Sequence, residues 1–186
     1  MRKLILRMTS SLDGVVAPDA KDVFDFNDND VWTEHFAAVE TVDTMLLGAG
    51  MHAEYLSHWH AALTDPKAGA NERRYAAIAV KTPHIVLSRT LRAVEWPNVT
   101  ILHDGVDGIA GLKSQAGGDI LLWGGATAAA AAINAGVVDE YHLVTHPVVA
   151  GPGKKLFANI AATHRLRHQD SKTFPSGIIL LKYARA

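Results

Sequence analysis

The stretch that most constrains this chain runs from Asp119 to Phe157. Ile120 to Trp123 is an unbroken apolar run that enters Gly124-Gly125 and continues into the alanine-rich Ala126 to Ala135. A strand apolar on both sides suits a parallel sheet covered on both faces, so a helix is expected to follow. The two glycines allow a sharp turn and a close approach of a ligand to the backbone. Ala126 to Ala135 has high helix propensity, and Gly136 supplies a left-handed stop. The first amides of such a helix lack partners within it and carry the positive end of its dipole. No Asp or Glu lies between Ile120 and Val138 to take up those amides, so the junction suits a phosphate. Read on its own, the segment is equally an alanine-rich helix packed on a sheet, with glycines serving only the turn.

A length of 186 residues fits one domain, 1–186, with a full core. Eighteen Lys and Arg oppose nineteen Asp and Glu with no long basic run, which disfavours nucleic acid as a partner. No apolar stretch approaches the length of a membrane span, and Arg7 interrupts what would be the apolar core of a signal peptide. The chain has no cysteine, so thiol catalysis, disulfides and Cys-ligated metal within it are excluded. A cytoplasmic enzyme or binding protein is the expectation.

Strands are predicted at Lys3 to Thr9, Thr44 to Leu47, His84 to Leu87, Val99 to Leu102, Ile120 to Trp123 and Glu140 to Val149. A closing antiparallel hairpin is predicted from His164 to Asp170 and Gly177 to Ala184, around Pro175-Ser176-Gly177. Helices are predicted over Val31 to Val42, after Gly48-Ala49-Gly50, over Glu72 to Val80 and within Gly105 to Ala116. The Asp-rich Pro18 to Asp30 reads as a loop over a site, and Gly151 to Lys154 as a turn. Alternation of strands and helices with a terminal hairpin gives an α/β layered fold with a mixed, mostly parallel sheet.

Ligands of open α/β sheets sit beyond the carboxyl ends of the strands. Four predicted ends finish in small or polar residues: Thr9-Ser10, Gly48-Ala49-Gly50, Ser88-Arg89 and Gly124-Gly125. If adjacent, they form one groove of amides, a hydroxyl and a guanidinium, and Arg89 suits a terminal phosphate. A solvated arginine in a turn is the alternative for Arg89. The standard dinucleotide and P-loop spacings are absent. His58-Trp59-His60 does not converge on a metal, since residues two apart on a helix point apart.

In order and spacing, Ser11-Leu12-Asp13-Gly14, Leu46-Leu47-Gly48, Leu87-Ser88-Arg89-Thr90, Leu122-Trp123-Gly124-Gly125-Ala126 and Val138-Asp139-Glu140 through His146-Pro147 to Gly153-Lys154-Lys155-Leu156-Phe157 resemble the dihydrofolate-reductase-like superfamily. Within it, the chain is similar to the reductase (C-terminal) domain of bifunctional riboflavin-biosynthesis proteins. The resemblance implies a three-layer α/β/α fold and a reductase that binds NADPH across the strand ends, without a metal. It would pass a hydride to an imine or carbonyl of a small pteridine-, pyrimidine- or ribosylamine-like substrate. By the same resemblance, Thr9, Val16 and Ala17 hold the nicotinamide end. Gly48, Gly50, Gly124, Gly125, Ala126 and Thr127 line the cofactor groove, with a cis peptide joining the paired glycines, and Ser88 and Arg89 meet the 2'-phosphate. Trp32, Phe36 and Thr145 line the substrate side, and Asp13 delivers the proton, unless it serves only to cap its loop.

Ala49 and Met51 stand where relatives usually carry Arg and Thr, so NADH is not excluded. The Asp-Asp-Pro segment of riboflavin-pathway reductases is missing between Trp32 and Leu87, which leaves the substrate open. A homodimer is expected, through Val148, Val149 and Phe157. The alternative function is a ligand-binding protein that kept the fold without turnover.

Overall fold

The computed structural model describes residues 1–20, 23–24 and 28–186. An eight-stranded sheet organises it, in the order β5-β4-β3-β6-β1-β7-β10-β9. Its strands are β1 (Leu4–Ser11), β3 (Val42–Gly48), β4 (His84–Leu87), β5 (Val99–Leu102), β6 (Asp119–Gly124), β7 (Glu140–His146), β9 (Leu166–Thr173) and β10 (Ile179–Arg185). β5, β4, β3, β6, β1 and β7 run parallel, and β10 pairs antiparallel with both β7 and β9. A small antiparallel pair, β2 (Val15–Pro18) and β8 (Gly153–Lys155), lies apart from the sheet.

Helices cover both faces, because β1, β3 and β6 are apolar in both alternating sets. Leu4, Leu6, Leu46, Ile120 and Leu122 pack against Ile109, of α4 (Ile109–Ser114), and against Ala129, Ala132 and Ile133, of α5 (Ala126–Asn134). The other set, Ile5, Met45 and Leu121, packs against Phe36 and Val39, of α1 (Asn29–Glu40), and Tyr75 and Ala79, of α3 (Ala70–Lys81). Above β3 and β4, Leu47 and Val86 meet Leu56 of α2 (His52–Ala62). The result is the expected three-layer α/β/α fold with its mostly parallel sheet and closing hairpin.

Local signals set the element ends. Asp28 caps α1 by accepting from Asp30 N at 2.8 Å and Val31 N at 3.2 Å. Gly136 ends α5 at φ +66°, the expected left-handed stop.

Several boundaries differ from the sequence expectation. Val42 opens β3 rather than ending α1, because the helix is closed at Glu40 and Val42 pairs with Asp119. β7 ends at His146, three residues before Val149, where Pro147 removes a ladder donor. Gly153 and Lys154 belong to a strand rather than a turn, since β8 finds its partner in the distant β2. The predicted Pro18 to Asp30 loop falls in part on residues 21–22 and 25–27, outside the described residues.

Candidate active site

Strand order brings the four small or polar tips to one edge. Gly48 pairs with Leu87, immediately before Ser88, and Leu47 pairs with Gly124. β1 lies between β6 and β7, so Thr9 and Ser10 complete the row.

Glycines serve two different purposes along this edge. A Cβ on Gly48 would stand 3.0 Å from Ala128 Cβ and 3.2 Å from Gly124 O, so only glycine lets the start of α5 close on β3. On Gly124, at φ +90°, it would stand 2.9 Å from Met8 Sδ. Gly125, joined to Gly124 by a cis peptide as the resemblance implied, has no atom within 4 Å of where a side chain would be, and neither has Gly50. The close-packed glycines thus support a stretch of backbone at Gly125 and Gly50 with open space over it. α5 opens there with no side-chain cap and no acid in its first turn; Gly125 and Ala126 are half-buried and Thr127 is exposed. Such amides hold phosphate oxygens.

Ser88 is buried, and its hydroxyl accepts from Leu91 N at 3.0 Å and Thr90 N at 3.3 Å, which fixes the loop that carries Arg89. Arg89 is exposed and pairs with Asp107 at 2.6 Å. Val16 and Ala17 lie on β2, whose backbone is held by Val15 pairing with Lys155 and Ala17 with Lys154. His58 and His60 turn to separate partners, Glu72 at 3.4 Å and the Trp96 ring at 5.1 Å.

Asp13 ties two loops together. Its carboxylate accepts from Ser11 Oγ at 2.6 Å, Ala150 N at 2.9 Å and Gly151 N at 3.0 Å. The Ser11 hydroxyl, followed by the Ala150 and Gly151 amides, holds it down to about 2. A group so stabilised as the anion is a weak acid catalyst at neutral pH, so the geometry gives Asp13 the loop-holding role.

On the face under α1, Trp32 stacks on Phe36 with ring centroids 5.6 Å apart, and the Arg74 guanidinium lies 3.8 Å from the centre of the buried Phe36 ring. Thr145 does not join them. Tyr141 and Leu143 pack on the α5 side and Val144 on the α1 side, so alternation puts Thr145 across the sheet from Trp32. Val144 and His146 hold the positions facing α1, and the difference is a single residue of register.

Two residues that sequence reasoning passed over complete this face. Arg7 and His35 lie among Trp123, Tyr75 and His142. The His35 ring is 4.6 Å from Tyr75 and 5.1 Å from Trp123. Burial, then the nearby Arg7 charge, push His35 down to about 3, and burial pulls Arg7 down to about 10, so at neutral pH the pair is one neutral imidazole and one cation. The signal was the alternation Ile5-Arg7-Thr9 along β1, with a charge in mid-strand on an otherwise apolar face.

Comparison with known proteins agrees with this architecture. The RibD C-terminal domain model matches residues 2–180. The uncharacterized protein YyaP of Bacillus subtilis (strain 168) is 28% identical over 183 residues, covering 98% of this chain and 94% of YyaP. Among solved structures, the diaminohydroxyphosphoribosylaminopyrimidine deaminase/5-amino-6-(5-phosphoribosylamino)uracil reductase of Thermotoga maritima superposes with a TM-score of 0.68 at 17% identity, covering 100% of this chain and 57% of that one. Dihydrofolate reductase from Enterococcus faecalis, complexed with NADP(H), superposes with a TM-score of 0.62 at 16% identity, covering 98% and 96%. With its sequence matched almost end to end and its sheet in the same arrangement, the chain belongs to the RibD C-terminal domain family.

Proposed function

We propose that the protein is an NAD(P)H-dependent reductase that acts on an imine or carbonyl of a small pteridine-, pyrimidine- or ribosylamine-like molecule. The observation that carries this reading is the open space over the Gly125 and Gly50 backbone, beside an uncapped helix start with no acid in its first turn. That backbone fits a diphosphate, which favours a nucleotide cofactor over other ligands. The solved dihydrofolate reductase of the same fold is a complex with NADP(H).

When bound, the reduced nicotinamide supplies the hydride. The chain's own work is binding, orientation and exclusion of water. Gly125, Ala126 and Thr127 offer amides to the diphosphate, with Gly48 and Gly124 allowing the close approach behind them. Ser88 and Arg89 stand at the adenosine end. Thr9, Val16 and Ala17 stand at the nicotinamide end, and Trp32 and Phe36 present a flat apolar wall to the substrate ring. A homodimer in the cytoplasm is part of the proposal, supported by the exposed Leu12, Val149 and Phe157 around the Gly151 turn. Among the described residues, no helix is long and apolar enough to cross a membrane.

Asp13 favours a second reading. A carboxylate locked into three hydrogen bonds supplies no proton, which suits a protein that binds the nucleotide without turning it over. Titration with NADPH and NADH, followed by nicotinamide fluorescence, tests both readings. Binding with oxidation by a carbonyl, imine or pterin panel supports the reductase. Binding without oxidation supports the second reading, and no binding at millimolar concentration removes both.

A further inference from the structure

Arg7 is 2% exposed, yet its Nη1 has no hydrogen-bond partner, and no ion pair reaches it among the described residues. The carboxylate acting most strongly on it, Glu34, is already held by Lys172 at 2.8 Å and Lys182 at 3.7 Å. Asp170 contacts Lys182 at 3.7 Å and Asp30 acts on Lys172, so the carboxylates Glu34, Asp170 and Asp30 answer Lys172 and Lys182, while among the described residues none contacts Arg7. Beside Arg7 on the neighbouring strand, His142 spends Nε2 on Glu140 at 3.2 Å and keeps an unpartnered Nδ1. His35 Nε2 is unpartnered as well. A contacting carboxylate and several hydrogen-bond partners are missing from a place where an unpaired cation is costly.

The surroundings say what would supply them. Leu6 pairs with Leu122, which brings Trp123 level with Arg7, and the Trp32, Phe36, His35, Tyr75 and Trp123 rings lie together on this face. Such walls suit a planar ring. Thr9, two residues beyond Arg7 on the same face, is half-buried, as are Trp32 and Trp123, so the approach is from the strand tips. We propose that Arg7 and His35 form the floor of the substrate chamber and receive the anionic edge of a planar ring, a carboxylate or an ionised ring oxygen. A guanidinium takes such an edge through two parallel hydrogen bonds. The inference rests on the reductase reading only for the statement that this ring is the one reduced.

The test uses the full chain without cofactor and two flat probes of equal shape, benzoate and benzamide, followed by tryptophan fluorescence and calorimetry. The wild type should bind benzoate about tenfold more tightly than benzamide. Arg7→Met should bring the two within about twofold while raising the urea midpoint of the unliganded protein, because it removes an uncompensated cation. Arg7→Lys should keep part of the preference. On the wild type alone, benzoate should shift the His35 imidazole nitrogen resonances and benzamide should not, which keeps the test independent of variant folding. No benzoate binding, equal affinity for both probes, or a preference that survives in Arg7→Met overturns the proposal. Because no nicotinamide is present, an anion preference that persists where NADPH and NADH fail to bind counts against the reductase reading alone.

Discussion

Two arginines of the first strand region, five positions apart, live in opposite circumstances. At the lower end of the sheet, Arg2 gives Nε to Gly118 O at 2.6 Å and Nη2 to Asp43 and to Thr44 Oγ1. Nearby, Lys113 is closed off in the same way by Asp139 at 2.5 Å and by Val137 O at 3.0 Å. Arg7, halfway to the strand tips, is as deeply buried and leaves Nη1 unanswered. The tips beyond it repeat the pattern in the backbone, with amides of α5 uncapped over Gly125. Around Arg2 and Lys113 the charged groups complete their contacts internally, whereas around Arg7 and the start of α5 donors are left over. Complete pairing marks architecture, and leftover donors mark where a ligand belongs.

Acid should separate the two halves most. His35 is held at about 3 against an ordinary 6.5, so between those values the unfolded chain takes up a proton that the folded chain refuses. Stability is therefore full above pH 6.5 and is lost as pH falls toward 3, by about 5 kcal/mol at most from this group. His84 and His142, also lowered by burial, add to the same window. Urea unfolding at pH 6.5 and 5 measures the slope, and His35→Phe should remove about 1.4 kcal/mol per pH unit of it. An unchanged slope would show that His35 takes up its proton as readily in the folded protein as in the unfolded chain.

Arg2→Met should cost about 2–4 kcal/mol, because Asp43 and Thr44 lose their cation, whereas Arg7→Met should raise stability. Equal losses from the two substitutions, read in one urea series, would erase the contrast. Next in size, Gly48→Ala should cost about 1–3 kcal/mol and weaken nucleotide binding, since its Cβ would press on Ala128. Gly50→Ala, where the space is open, should change stability by less than about 0.5 kcal/mol. Smallest of all, Arg89→Ala should alter stability by about 0.5 kcal/mol or less, because both it and Asp107 are exposed. The same variant should weaken NADPH binding more than NADH binding, as measured by nicotinamide fluorescence.

What was readable in the sequence follows the range of the forces involved. His84 to Leu87 and Val99 to Leu102 match their strands end to end, because apolar runs bounded by polar residues are local signals. The start and stop of α5 were equally plain, since Gly125 and Gly136 act on their own backbone. The β2–β8 pair was not readable, because Val15 gains its strand character from Lys155, far along the chain. That Thr145 lies across the sheet from Trp32, where the resemblance implied the substrate side, was not readable either, because the register of β7 is fixed by distant partners, Ser10 on β1 and Ile179 on β10. Arg7 appeared only as a break in an apolar run, and its meaning came from side chains on α1, α3 and β7 that no spacing rule connects.

The crowding at Gly48 has a consequence for how proteins of this kind diverge. A grip made of main-chain nitrogen, supported by residues that have no side chain, places few demands on which letters surround it. On the proposed reading, drift elsewhere then leaves the diphosphate hold intact. The choice of nucleotide tail, which the proposal gives to the exposed Arg89, and the choice of substrate, which it gives to Arg7 and His35, would each be free to change without disturbing the other.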